Sequence, residues 1–434
     1  MTGPATSIAG SSDEGLGGMG SGGTQFSNTG FSNTGFSNTG FSDAGSGSTE
    51  LSNTRSGNAG SGSTRSDNTG FDNTEPGGRR RAAVVPAAVI AGLGGWLPGV
   101  VVTNDQLAAR LDTSDQWIRQ RTGIRERRHA GPGWSTGMLA VEASRLALKA
   151  ADRTEVDAVV LATTTPDQPC PATAPWVAAV LGLSGVAAFD IAAVCTGFLY
   201  GLAAASGLIA SGHARSVLLI GAETYSSILD PGDRTTTAIF GDGAGAVVLR
   251  AGDPDEPGAV RRCLLGSDGE QAQMIQVPGG GSRQRLSGRV AQPGDEYFQM
   301  QGRYTYRHAV DRMTESSLAA LRQAGWSIGD VDRFVAHQAN ARITEAVGER
   351  LGLAADRTLA NIARVGNTAA ASIPLLLAES AADGTLRPGH RTLLAAFGGG
   401  LTWGATTLVW PDVCAYVGTA DAPRGISRPP AGTI

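Results

Sequence analysis

The chain has 434 residues, 41% of them hydrophobic, enough for two or three domains around a sizeable core. A formal net charge of −4 excludes a general nucleic-acid binder, which needs a basic surface to displace counterions from phosphates. No run of about 20 apolar residues and no basic-then-apolar leader is present, so a cytoplasmic protein without membrane association is expected.

Residues 1–81 are rich in Gly, Ser, Thr and Asn, with the unit FSNTG repeating from Phe26 and echoed at Phe71. Such a stretch cannot bury enough apolar area to offset its chain entropy and is expected to be disordered. From Ala82 the texture changes. Strand-like runs at Ala83–Ile90, Ala158–Ala162, Ala187–Ile191 and Val217–Ile220 alternate with helical stretches at Gly137–Ala150 and Gly197–Ser211. This rhythm predicts an α/β protein with a mostly parallel, buried sheet and helices on both faces. Thr236–Arg250 reads as two strands around a Gly-rich turn. The rhythm recurs with helices over Tyr304–Ala324, Asn340–Leu351 and Ser372–Ala382, and strands at Arg333–Ala336, Arg391–Ala396 and Ala405–Trp410. Two similar halves are inferred, 82–255 and 256–411, and 412–434 reads as a polar tail without a fold signal.

The four cysteines (Cys170, Cys195, Cys263, Cys414) include no CxxC pair, which argues for reduced thiols rather than disulfides or a zinc site. Cys195 lies where an apolar strand gives way to a helix in FDIAAVCTGFLYG. The positive end of that helix is expected to favour the thiolate. His337 sits in VAHQAN between a strand and a helix, and Asn367 in RVGNTAAASIP, in a turn leading into another helix. A thiol with a histidine and an asparagine elsewhere in the chain suits acyl-enzyme chemistry. The glycine run in AFGGGLTWG, residues 396–404, exposes backbone N–H groups of the kind that build oxyanion holes.

These windows, with DTSDQWIRQRTGIRERR, IFGDGAG and LGSDGEQ, resemble in order and separation those of β-ketoacyl-acyl carrier protein synthase III, of the thiolase-like superfamily. The likeness spans about residues 85–411. It implies a homodimer with a five-layered αβαβα fold of two pseudo-duplicated halves. It also implies a decarboxylative condensation of a short acyl-CoA with malonyl-acyl carrier protein, without cofactor or metal. Cys195 would be the nucleophile, its own N–H and that of Gly399 the oxyanion hole, and His337 and Asn367 the donors to the malonyl thioester oxygen. Trp117, Arg121 and Arg234, with Thr113 nearby, would hold CoA. Arg307, Arg342 and Arg350 would dock the acidic carrier protein, against the rival reading of a solvated helix face.

Departures from the family pattern are visible. Arg303 stands where many relatives carry asparagine near the pantetheine tunnel, so no contact is assigned to it. Val365 precedes GNT where others have His or Tyr. Cys170 falls where a residue reaches across the dimer to close the partner's acyl pocket, and its small size suggests room for branched or longer starters. Two rival functions remain: the same condensation or starter-unit acyl transfer in a polyketide or other secondary pathway, and a non-catalytic condensing-fold partner subunit. The intact cysteine, histidine and asparagine argue against the second.

Overall fold

The computed structural model describes residues 85–422. The expected disorder of 1–81 and the end of the C-terminal tail lie outside them. In chain order, β1 (Ala87–Pro98), β2 (Ala158–Ala162), β3 (Ala187–Ile191), β4 (Ser216–Glu223) and β5 (Gly243–Gly252) build one sheet. A second sheet holds β6 (Leu264–Ser267), β7 (Arg333–Ala336), β8 (Arg391–Gly398) and β9 (Thr402–Val409). A last strand, β10 (Ala415–Ala420), returns to the first sheet beside β1. The strand orders are β10-β1-β5-β4-β2-β3 and β7-β8-β9-β6.

Alternation of side chains along each strand generates the layers. In β4, Val217 and Leu219 face one core while Leu218, Ile220 and Ala222 face another. In β8, Leu394 and Ala396 face the first of these cores, and Leu393, Ala395 and Phe397 a third. The shared core is filled by α3 (Gly197–Ala210) and α6 (Ser372–Ala382), which therefore lie between the sheets. Helix α2 (Thr136–Ala150) covers the outer face of the first sheet, and α4 (Gly302–Ala324) with α5 (Ala341–Leu351) that of the second. The result is a five-layered αβαβα sandwich. One further helix, α1 (Asp115–Thr122), sits in an excursion between β1 and α2, near the N-terminal end of α5.

The close spacing of the layers depends on missing side chains. A Cβ on Gly245 of β5 would stand 2.4 Å from the Leu375 backbone nitrogen in α6. One on Gly221 of β4 would meet the Ala370 carbonyl oxygen at 2.4 Å. These contacts seat the α6 end of the Asn367 loop against the first sheet.

The sheets are mixed rather than mostly parallel. β2 runs parallel to β3 and β4, β1 to β10, and β7 to β8, while the β1–β5, β4–β5, β8–β9 and β9–β6 pairs are antiparallel. Only Gly399–Leu401 separate β8 from β9, and so short a connection leaves no room for a crossover. The reading of two strands over Thr236–Arg250 is also corrected. Asp233 caps a single helical turn, Arg234–Thr237, and one strand follows from Gly243. Nor is the start of the C-terminal tail without fold, since β10 pairs in parallel along the β1 edge. Its signal is weak because it is a short, half-exposed edge strand. Among the described residues no helix is long and apolar enough to cross a membrane.

Substituting Gly245→Ala forces a methyl group into the α6 backbone. It is expected to destabilise the fold by about 1–3 kcal/mol, read from urea unfolding.

Candidate active site

Strand β3 ends at Ile191, and a tight turn, Val194–Thr196, leads directly into α3. Val194 is held at φ 47°, a region that a β-branched residue rarely enters. Such strain persists only where surrounding structure imposes it. Here it aims the next residue, Cys195, into a cavity of about 40 Å³ whose walls also include His337, Asn367, Phe397 and Gly398. The cavity lies under the C-terminal ends of β4, β7 and β8, so three residues far apart in the chain converge on it.

His337 directly follows β7, and its backbone N–H donates to the Ala395 carbonyl at 2.8 Å. Its Nδ1 lies 2.6 Å from the Ser372 hydroxyl, while Nε2 is buried without a hydrogen-bond partner among the described residues. The Ser372 oxygen also accepts from the Gln338 N–H at 3.4 Å. When the serine donates its own hydrogen to Nδ1, the imidazole proton is left on Nε2. Asn367 is pinned on both sides of its backbone: its N–H donates to Ile239, and its carbonyl accepts from Gly241, each at 2.9 Å. Its Oδ1 accepts from the Ala369 N–H at 2.8 Å, so the side-chain amide is oriented with its NH₂ left to donate. Ala369 itself sits at φ 45°, a second strained position next to the cavity.

Burial sets the protonation states. It lowers His337 to about 3, keeping the ring neutral. It also raises the Cys195 thiol, helped by the negative charge of Glu223 and only partly opposed by the cysteine's own N–H. Burial thus opposes the expected pull of the helix end and biases Cys195 toward the thiol. Sequence reasoning passed over Glu223. It is fully buried at the end of β4 and pushed up to about 7 by burial, although Thr165 donates its hydroxyl (2.6 Å) and the Thr164 and Ala370 backbones add N–H groups. The carboxyl thus ties the β2 loop to the Asn367 loop.

The glycine run contributes differently from its members' order. A Cβ on Gly398 would stand 2.9 Å from the Cys195 nitrogen, so this glycine abuts the cysteine. Gly399, one residue on, faces Ile275 and Val194.

A groove of about 610 Å³ adjoins the cavity and shares Met300, Thr305, Ala339, Ile343 and Asn367 with it. Trp117 and Arg121 stand on its wall, and the Arg121 guanidinium lies 4.7 Å from the Trp117 ring centre. Arg234 approaches the same ring at 5.5 Å and pairs with Asp112 at 2.8 Å. Thr113 is not on the groove wall; its hydroxyl is buried without a partner among the described residues. Of the docking arginines, Arg342 is on the groove, over the Tyr306 ring at 5.6 Å. Arg307 is exposed on α4, and Arg350 is paired with Asp311. Arg303, to which the sequence assigned no contact, lines the groove, as does Asn340, which caps α5 and donates to the Arg121 carbonyl at 3.0 Å. Within one chain Cys170 is exposed and does not line the Cys195 cavity. Among the described residues no cluster of three or more His, Cys, Asp or Glu could hold a metal.

A cysteine, a histidine and an asparagine on one dead-end cavity of an αβαβα sandwich define a condensing enzyme of the thiolase-like class. Residues 189–269 match the family model of 3-oxoacyl-[acyl-carrier-protein] synthase III, and 321–410 the model of its C-terminal part. A β-ketoacyl-[acyl-carrier-protein] synthase III of Streptomyces coelicolor is 60% identical over 76% of this chain and 99% of its own length. The crystal structure of the Pseudomonas aeruginosa enzyme is 50% identical over 75% of this chain and 99% of that one, with a TM-score of 0.71. The priming β-ketosynthase of a polyketide pathway is 31% identical over 76% and 98%, also with a TM-score of 0.71. The chain belongs to the β-ketoacyl-acyl carrier protein synthase III family.

Two outcomes follow from the electrostatics. Removing the neighbouring charge by Glu223→Gln is expected to move the pH profile of Cys195 alkylation by iodoacetamide toward lower pH. An unfolded histidine titrates near 6.5 and the folded His337 near 3, so the unfolded chain binds the extra proton between them and stability falls as the pH drops through that window. His337→Gln is therefore expected to lose less stability than the parent from neutral pH to about pH 5, by on the order of 1–2 kcal/mol in urea titrations.

Proposed function

We propose that the chain joins a short acyl-CoA to malonyl-acyl carrier protein with loss of CO₂, giving a 3-oxoacyl-carrier protein and so initiating fatty acid synthesis. The observation that carries this is the sharing of one buried cavity by Cys195, His337 and Asn367, at the inner end of the groove that holds Trp117 and Arg121.

In the first half-reaction Cys195 sulfur attacks the acyl-CoA carbonyl, and CoA leaves carrying the thiol's proton. The N–H groups of Cys195 and Gly399 take the developing oxyanion, a role supported by the Gly398 backbone lying against the cysteine. In the second, the malonyl thioester loses CO₂ and its oxygen gathers charge. His337 Nε2–H and the Asn367 amide donate to that oxygen; both are neutral and already oriented, so they stabilise the enolate without reorganising. The enolate carbon attacks the acyl-Cys195 carbonyl, and the released sulfur recovers a proton. No charged base is required, which agrees with a histidine kept neutral by burial. Ser372 is a positioning residue that holds His337 in the donating tautomer.

Trp117, Arg121 and Arg234 receive the CoA nucleotide at the outer groove, with Arg303 added to the set. Exposed Arg307 and groove-side Arg342 are the better candidates for carrier-protein docking, because Arg350 already has a carboxylate partner. The protein is proposed to act as a homodimer: β3 is an unpaired edge strand, and an unprotected edge of this kind is a ready pairing surface. The Cys170 loop lies beside that edge, where a second copy would use it.

Incubation with labelled acyl-CoA, with and without malonyl-carrier protein, separates the roles. Cys195→Ala should take up no label. His337→Ala and Ser372→Ala should acylate within a few-fold of the parent, with condensation falling about 10²–10³-fold for His337→Ala and less for Ser372→Ala. Normal condensation by His337→Ala overturns the assignment.

A further inference from the structure

The wall of the Cys195 cavity carries one polar group that this reaction scheme leaves without a task. Tyr225 follows the end of β4, is fully buried, and lines the cavity. Its ring is fixed, stacked on Phe240 at 4.3 Å and edge-on to Phe298 at 5.2 Å. Its hydroxyl is buried with no hydrogen-bond partner among the described residues. Leaving such a group unpaired costs about 1–3 kcal/mol, and buried side-chain polar atoms are satisfied in the large majority of cases. A phenylalanine would present the same ring without that cost. Tyr225 shares the wall of this cavity with Cys195, His337 and Asn367.

Around Tyr225 the wall is apolar, with Phe240, Phe298, Ile275 and Met300 in the same packed cluster. With about 40 Å³ of space, the cavity admits only a few heavy atoms, since an engineered apolar cavity of roughly 150 Å³ accommodates benzene. Within one chain the space beside Cys195 is bounded by Tyr225 and its aromatic neighbours Phe240 and Phe298.

We propose that Tyr225 selects the starter: its hydroxyl donates a hydrogen bond to an oxygen substituent on a short acyl chain carried by Cys195, so that an oxygenated acyl-CoA is taken in preference to the plain alkyl one of equal length. An alkyl chain would leave the hydroxyl unpaired, whereas a hydroxyl or keto oxygen on the chain would lose its water without compensation unless it met this donor. Sites that bond a substrate hydroxyl discriminate strongly against the analogue lacking it. The inference rests on the reading of Cys195 as the acylated residue.

The test measures acylation of Cys195 in the full chain, by intact mass, with butyryl-CoA and 3-hydroxybutyryl-CoA. The parent is expected to favour the hydroxy compound by tenfold or more in kcat/KM. Tyr225→Phe should abolish or reverse that preference with an unchanged or raised melting temperature, because the lost hydroxyl had no partner. Equal rates in the parent, or a preference that survives in Tyr225→Phe, overturn the selection role while leaving Cys195 as nucleophile. If the variant does not fold, the parent ratio decides alone. Absence of acylation by either compound and by acetyl-CoA overturns the inference together with the reading beneath it.

Discussion

The exclusion of water from the space between the two sheets governs everything at this site. Cys195, His337, Glu223 and Tyr225 are all buried there, and in that medium charge is expensive, so each is pushed toward its neutral form. A neutral imidazole can donate to a developing enolate without first losing a proton. The same dryness makes every unpaired donor consequential. His337 Nε2 and the Tyr225 hydroxyl both lack a hydrogen-bond partner among the described residues and share one cavity with Cys195, where a bound acyl or malonyl group would supply acceptors.

Holding these groups in place requires the backbone to come unusually close to itself. Gly221 and Gly245 let the Asn367 loop and α6 rest on the first sheet, and Gly398 lets β8 abut the cysteine turn. Val194 and Ala369 pay in strained φ for the directions that Cys195 and Asn367 take. Glu223 fastens the β2 loop to Ala370 from behind. Local strain at the two reactive loops is thus balanced by packing and hydrogen bonding over a wider area.

Much of this was legible in the chain. Strands at Ala158–Ala162, Ala187–Ile191 and Arg333–Ala336 stand where the sequence pattern put them; the first is fully buried and uniformly apolar, whereas Ala187–Ile191, at the sheet edge, is only half-buried and carries Asp190. Cys195, His337 and Asn367 were visible as residues at strand–helix junctions, the places where an α/β fold presents side chains. Less was legible where exposure blurs the pattern, as in β10, or where a glycine-rich stretch resembles a turn, as in Thr236–Arg250. Ser372 and Tyr225 had no local signature at all, and Arg303 stood out only as a departure from the family pattern, since their importance depends on neighbours supplied by other elements.

The sequence by itself determined the fold class and the family, and singled out Cys195, His337 and Asn367 as candidate reactive residues, because hydrophobic periodicity and motif order are properties of the chain read in one dimension. Only the tertiary structure decided the protonation states, the direction of electrostatic bias on Cys195, the size of the acyl space and which arginines face the groove. Those depend on burial and on distances between segments remote in the chain, and neither is encoded in any single window.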